Sequence, residues 1–301
     1  MNEEGLRAGW RLLLYLALVV GFFLSFKVLL MQFWKSTAGT FSIGGIFFSE
    51  LIGFASAFGA AIVMSFLERR PVGIYGLPAH SAFGKLFWQG VLFGLVEISL
   101  VIELIHLFGG YSFGTLALHG TEIIRWAVLW ALCLLFVGLF EEFLFRGYSL
   151  FTLSSGLGFW PSAIVLSLVF AAVHFQNNGE GLVGVAGIFV VGLLWCLALR
   201  RTGTLWFAVG MHAAFDFGET FLYSVPDSGA LFPGHLSNAT MAGPAWLTGG
   251  AVGPEGSVFD FLILFIFFYV IHRLYPPNNA LVPSNALAQR ASSDANTSFT
   301  P

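Results

Sequence analysis

The sequence predicts an all-α fold: a polytopic membrane helix bundle of about eight transmembrane helices with both termini cytoplasmic. Three observations carry that reading. Of 301 residues, 57% are hydrophobic and only 10% charged, whereas a soluble domain carries about a quarter charged residues. Apolar runs near the roughly 20 residues that a spanning helix needs recur along the chain. Lysine and arginine gather in alternate loops, which sets orientation. Composition also excludes other classes. A net charge of −3 without a basic block argues against nucleic acid as a partner. Cys133 and Cys196 both sit inside apolar runs and cannot build a disulfide framework.

The first run, 10–33, exceeds the apolar core of a signal peptide, and no small-residue cleavage site follows it, so it reads as a retained span. Further runs follow at 41–66, 83–108, 124–145, 159–175, 181–199, 204–223 and 257–274. The weakest are 159–175, which is short, and 204–223, which carries a histidine and two acids. Numbering these in order puts Arg7, Arg11, Arg69, Arg70, Lys85, Arg146, Arg200, Arg201, Arg273 and Arg290 on one side. Only Lys35 and Arg125 fall on the other, and Lys27 lies within the first span. The richer side is the cytoplasmic one. The Gly- and Pro-rich stretch 224–256 has no lysine or arginine and reads as an extracytoplasmic loop, partly ordered at best. The polar tail 276–301 reads as disordered. What remains, 1–275, is a single membrane-embedded domain with no internal repeat.

Ionisable residues inside a span are functional candidates, because each needs a partner or a water-filled cavity. Glu141, Glu142 and Arg146 end the fourth span; His174 ends the fifth; His212, Asp216 and Glu219 occupy the seventh. Glu50, Glu97, Glu103 and His106 form a separate set. Adjacent helical residues point about 100° apart, so Glu141 and Glu142 cannot both face one cavity squarely. Residues four apart share a face. Glu142 can therefore pair with Arg146, which leaves Glu141 to face a reactive centre; the alternative is a charge cluster at the helix end. His212 and Asp216, also four apart, line one side of their helix, where the carboxylate can orient the ring and set its tautomer. Phe170 can pack under the ring of His174.

A carboxylate and an imidazole near one water can take its proton. A second imidazole or an arginine can stabilise the oxyanion that forms when that water attacks an amide. Glu141, His174 and His212 could instead hold a divalent metal such as zinc, or the site could hold none. HExxH and GxSxG are both absent. At a rise of about 1.5 Å per residue, Glu141 lies roughly 8 Å above Arg146, His212 about 17 Å above Arg201 and His174 about 20 Å above Pro161. The best compromise is a site opening toward the cytoplasm, below mid-bilayer.

EEFLFR (Glu141, Glu142, Arg146) fits EExxxR, FAAVH (Phe170–His174) fits FxxxH, and HAAFD (His212–Asp216) fits HxxxN/D. In this order, over about 60–225, the chain resembles the CPBP family, the intramembrane proteases related to type II CAAX-prenyl endopeptidases and bacterial Abi proteins. The resemblance implies that Glu141 and His174 activate water, that His212 and Asp216 position the carbonyl and stabilise the oxyanion, and that Glu142 and Arg146 support the site. It implies a multi-pass protein of a prokaryotic plasma membrane. Its partners would be membrane lipids and a peptide or membrane-protein substrate, with or without a prenyl group. Prenyl endopeptidases more typically carry asparagine where Asp216 stands. Two other classes fit the same residues: a proton-coupled transporter with Glu141, His174, His212 and Asp216 as a relay, and a non-catalytic membrane immunity or binding protein.

Overall fold

A computed structural model describes residues 7–33, 42–177 and 179–276. Lys35, Arg290 and the tail from 277 onward, which entered the orientation and disorder expectations, lie outside the described residues. The chain folds as a helix bundle: α1 (Ala8–Phe33), α2 (Ile43–Glu68), α3 (Lys85–Leu107), α4 (Thr121–Arg146), α5 (Tyr148–Leu157), α6 (Phe159–His174), α7 (Leu182–Thr202), α8 (Trp206–Phe217), the single turn α9 (Ala245–Thr248) and α10 (Val258–Leu274). Among the described residues, five helical segments are long and apolar enough to cross a membrane: Ala8–Gln32, Ile43–Glu68, Lys85–Leu107, Thr121–Leu157 and Leu182–Thr202. The runs expected at 159–175, 204–223 and 257–274 contain the shorter helices α6, α8 and α10. Large apolar side chains stay exposed along α1, among them Leu13, Val20 and Val28. Surface of that kind suits lipid rather than water.

The fourth span ends close to where the sequence places it, with α4 at Arg146, but the apolar stretch goes on. After Gly147 the chain re-enters helix as α5, and Thr121–Leu157 forms one apolar segment of 37 residues. Sequence reading missed α5 because YSLFTLSSGL is rich in hydroxyl residues and follows an arginine and a glycine. Buried Ser149, Thr152 and Ser154 pack against neighbouring helices instead of marking a loop. Gly158, at φ 82, then reverses the chain into α6, a conformation that costs glycine little.

The 224–256 segment is folded, not loosely ordered. Its strand β2 (Thr240–Met241) pairs antiparallel with β1 (Tyr111–Ser112), from the connection between α3 and α4, with Tyr111 opposite Met241. The Tyr111 hydroxyl donates to the Tyr223 carbonyl at 2.8 Å, and the Ser257 hydroxyl donates to the Leu247 carbonyl at 2.6 Å. The glycines that suggested a loose loop serve tight turns. Gly253 has φ 119, and a Cβ there would come within 2.2 Å of the Pro226 carbonyl oxygen.

Helices α3 and α8 touch backbone to backbone. A Cβ on Gly90 would lie 2.0 Å from the Phe207 carbonyl oxygen, one on Gly94 2.1 Å from that of Met211, and one on Gly210 2.2 Å from that of Phe87. Small residues permit this approach where helices associate in lipid. Gly94→Ala is therefore expected to cost about 1–3 kcal/mol by overpacking. Denaturant unfolding of the purified protein checks this, and a loss well under 1 kcal/mol would refute the backbone contact.

Candidate active site

Glu142 and Arg146 lie one turn apart on α4, and the Arg146 Nη1 donates to Glu142 Oε1 at 3.1 Å. Both residues are fully buried. The guanidinium also lies over Phe170, its Cζ 4.2 Å from the ring centroid, and 5.2 Å from that of Trp195. Such contacts offset part of the cost of burying the charge. Gly192 on α7 leaves room for it: a Cβ there would stand 2.6 Å from Nη2.

His212 on α8 connects this pair to the neighbouring acids. Its Nδ1 faces Glu142 Oε1 at 3.2 Å. Its Nε2 stands 3.4 Å from Asp216 Oδ2 and 3.8 Å from Glu141 Oε2. Both ring nitrogens thus face carboxylate oxygens, an arrangement that satisfies an imidazolium with two N–H donors. Trp195 stacks on the ring, centroids 4.4 Å apart and planes 19° from parallel. The ring is held by its face and by both edges.

His174 ends α6. Its Nδ1 donates to the Phe170 carbonyl at 2.8 Å, since a carbonyl can only accept. In the neutral ring this leaves Nε2 with a lone pair. The Phe170 ring lies beside it, centroid to centroid 4.5 Å.

Glu141, His174, His212 and Asp216 come together as walls of one cavity of about 330 Å³. Glu142 and Arg146 stand behind it. The Glu141 side chain is 24% exposed and the Glu142 side chain is fully buried, so the two adjacent acids have different surroundings. Glu50 from α2 and Glu97 from α3 line the same cavity, so they do not form a separate set. Glu103 and His106 are exposed, and the His106 Nδ1 donates to the Tyr111 carbonyl at 2.7 Å.

Sequence reasoning missed Asp227, Glu255 and Asp260, which also line the cavity. Asp260 carried a readable signal, an acid inside an apolar run. Asp227 and Glu255 carried none, because the folding of 224–256 alone brings them there. Desolvation pushes the Asp227 carboxyl up to about 6, against the Thr220 hydroxyl that donates to it at 2.6 Å. Burial also drives Glu255 well above the usual carboxylate range, with Asp227 reinforcing it.

Glu141, His174 and His212 do not fit a metal as they stand. Among the described residues their ligand atoms do not form a close group, and both nitrogens of His212 already face carboxylates. The group that does converge is Asp216, Glu219 and Asp227, whose ligand oxygens all lie within 4.8 Å of one another.

No curated protein and no solved structure matches the chain. Residues 123–218 match the family model described as Rce1-like, type II CAAX prenyl endopeptidase Rce1-like. That stretch holds all six motif residues, from Glu141 to Asp216, and its family is one of proteases. Over residues 123–218 the chain is therefore similar to the Rce1-like family of type II CAAX prenyl endopeptidases.

Proposed function

We propose that the protein is an intramembrane endopeptidase whose attacking water is activated by Glu141 and His174. The observation that supports this reading most strongly is the convergence of Glu141, His174, His212 and Asp216, from three helices, on one cavity. A water between the Glu141 carboxylate and His174 Nε2 gives up a proton to one of them as its oxygen attacks the substrate carbonyl carbon. The oxyanion that forms takes the place of Asp216 and Glu141 at the Nε2–H of His212, while Glu142 at Nδ1 and the stacked Trp195 hold the ring. The captured proton then passes to the leaving nitrogen as the C–N bond breaks. The Glu142–Arg146 pair keeps His212 oriented and does not touch the substrate.

The substrate is a peptide or membrane protein presented within the bilayer, and the bond that is cut lies toward the cytoplasmic face if the distribution of lysine and arginine sets the orientation. The setting proposed is the plasma membrane of a prokaryote. The test is cleavage of fluorogenic peptides, prenylated and unprenylated, by the purified protein in detergent, with His174→Ala as the control variant. Cleavage by wild type and a loss of at least 100-fold in the variant is expected. Equal cleavage by the two proteins would sink the assignment of His174 and favour the proton-relay reading of the cavity.

A further inference from the structure

The cavity and its surroundings carry more carboxyl groups than peptide hydrolysis uses. Asp216 on α8, Glu219 on the π-helical turn Gly218–Leu222 and Asp227 on the 224–256 segment bring carboxylate oxygens within 4.8 Å of one another. Glu255 and Asp260 line the same space, and no lysine or arginine does so among the described residues. Carboxylates this close repel strongly where water is scarce. A second observation points to a missing partner. Glu219 is only 1% exposed, and neither of its oxygens has a hydrogen-bond partner among the described residues. A buried carboxylate without a donor or a cation is costly. Both of its neighbours in the cluster bring further oxygens, not donors.

We propose that Asp216, Glu219 and Asp227 bind one hard divalent cation of the calcium, magnesium or manganese kind. Oxygen-only donors select this class over zinc, which prefers nitrogen and sulfur. Calcium fits best, because it accepts irregular oxygen sets, whereas magnesium demands near-octahedral geometry. Three oxygens spaced this closely can all reach one ion at about 2.3–2.6 Å after small side-chain movements. The ion ties together three pieces of chain: the helix that carries His212, the π-helical turn after it, and the segment that covers the cavity. π-helical turns often mark functional positions, and here the turn brings Glu219 to the cluster.

The test uses the full-length protein in detergent, stripped with chelator and titrated separately with Ca²⁺, Mg²⁺, Mn²⁺ and Zn²⁺. Bound ion and thermal midpoint are both followed. One Ca²⁺ per chain is expected to bind saturably, and to raise the midpoint by about 5 °C at a hundredfold excess over Kd. Glu219→Gln and Asp227→Asn are each expected to weaken binding at least 10-fold. Neither residue takes part in the proposed hydrolysis, and binding is read without turnover, so this inference and the protease reading fail separately. The inference is overturned if no hard cation binds the wild type, if only zinc does, or if folded Glu219→Gln binds as tightly as wild type. Direct binding to the wild type decides the matter even if a variant does not fold.

Discussion

Glu141→Gln is expected to lower kcat and kcat/KM for peptide hydrolysis by roughly 10³-fold with little change in KM, the signature of a group that acts in the transition state. The substitution keeps size and shape and removes only the basic oxygen. Glu141 is the open member of the adjacent pair, 24% exposed on the cavity wall. Its nearest charged contact, His212 Nε2, is 3.8 Å away. Little stability therefore depends on it, and the thermal midpoint should stay within about 2 °C of wild type. A variant that retains full activity would remove Glu141 from the mechanism, whatever His174 does. A variant that loses both activity and fold would instead place Glu141 among the structural acids.

Arg146→Met is expected to show the opposite pattern, with stability lost first. Among the described residues, Arg146 is the only partner at salt-bridge distance for Glu142 besides His212, and neither Glu142 nor Arg146 is reached by solvent. Removing one member of a buried pair leaves the other uncompensated, at a cost of about 3–5 kcal/mol. The contacts of the guanidinium with Phe170 and Trp195 are lost as well. The double variant Arg146→Met with Glu142→Gln removes both charges and is expected to recover part of the loss, as coupled neighbours do in a double-mutant cycle. Denaturant unfolding of Arg146→Met, Glu142→Gln and the double variant measures this directly. A single-variant cost below about 1 kcal/mol would show that water reaches the pair.

Much of the site was legible because it is local. Spacing by four on one helix placed Arg146 beside Glu142, and Asp216 beside His212, before any fold was known, and it put Phe170 next to the His174 ring. Helix periodicity alone separates Glu141 from Glu142. The missing parts depend on contacts between distant segments. Glu50 and Glu97 belong to helices whose own sequences say nothing about which neighbour they face. Asp227 and Glu255 reach the cavity only because a Gly- and Pro-rich segment folds back over the bundle and pairs with the α3–α4 connection. Helix α5 was missed for a different reason: hydroxyl residues are read as loop-formers, but in a packed bundle they can be buried within a helix. Trp195, which braces His212, lay in an apolar run where nothing distinguished it from lipid-facing neighbours.

The glycine seam between α3 and α8 leaves no side chains to repack between the two backbones. Without that compliant layer, α8 rides on α3 as a rigid pair. Any tilt that the surrounding lipid imposes on α3, as a span adjusts to a thicker or thinner bilayer, carries His212 and Asp216 with it. Glu141 follows as well, since Gly138 brings α4 close to the α8 backbone, a Cβ there standing 3.1 Å from the Val209 carbonyl oxygen; His174, on α6, lies outside the seam. Lipid chain length is therefore expected to alter how His174 meets the rest of the site, and with it the chemistry.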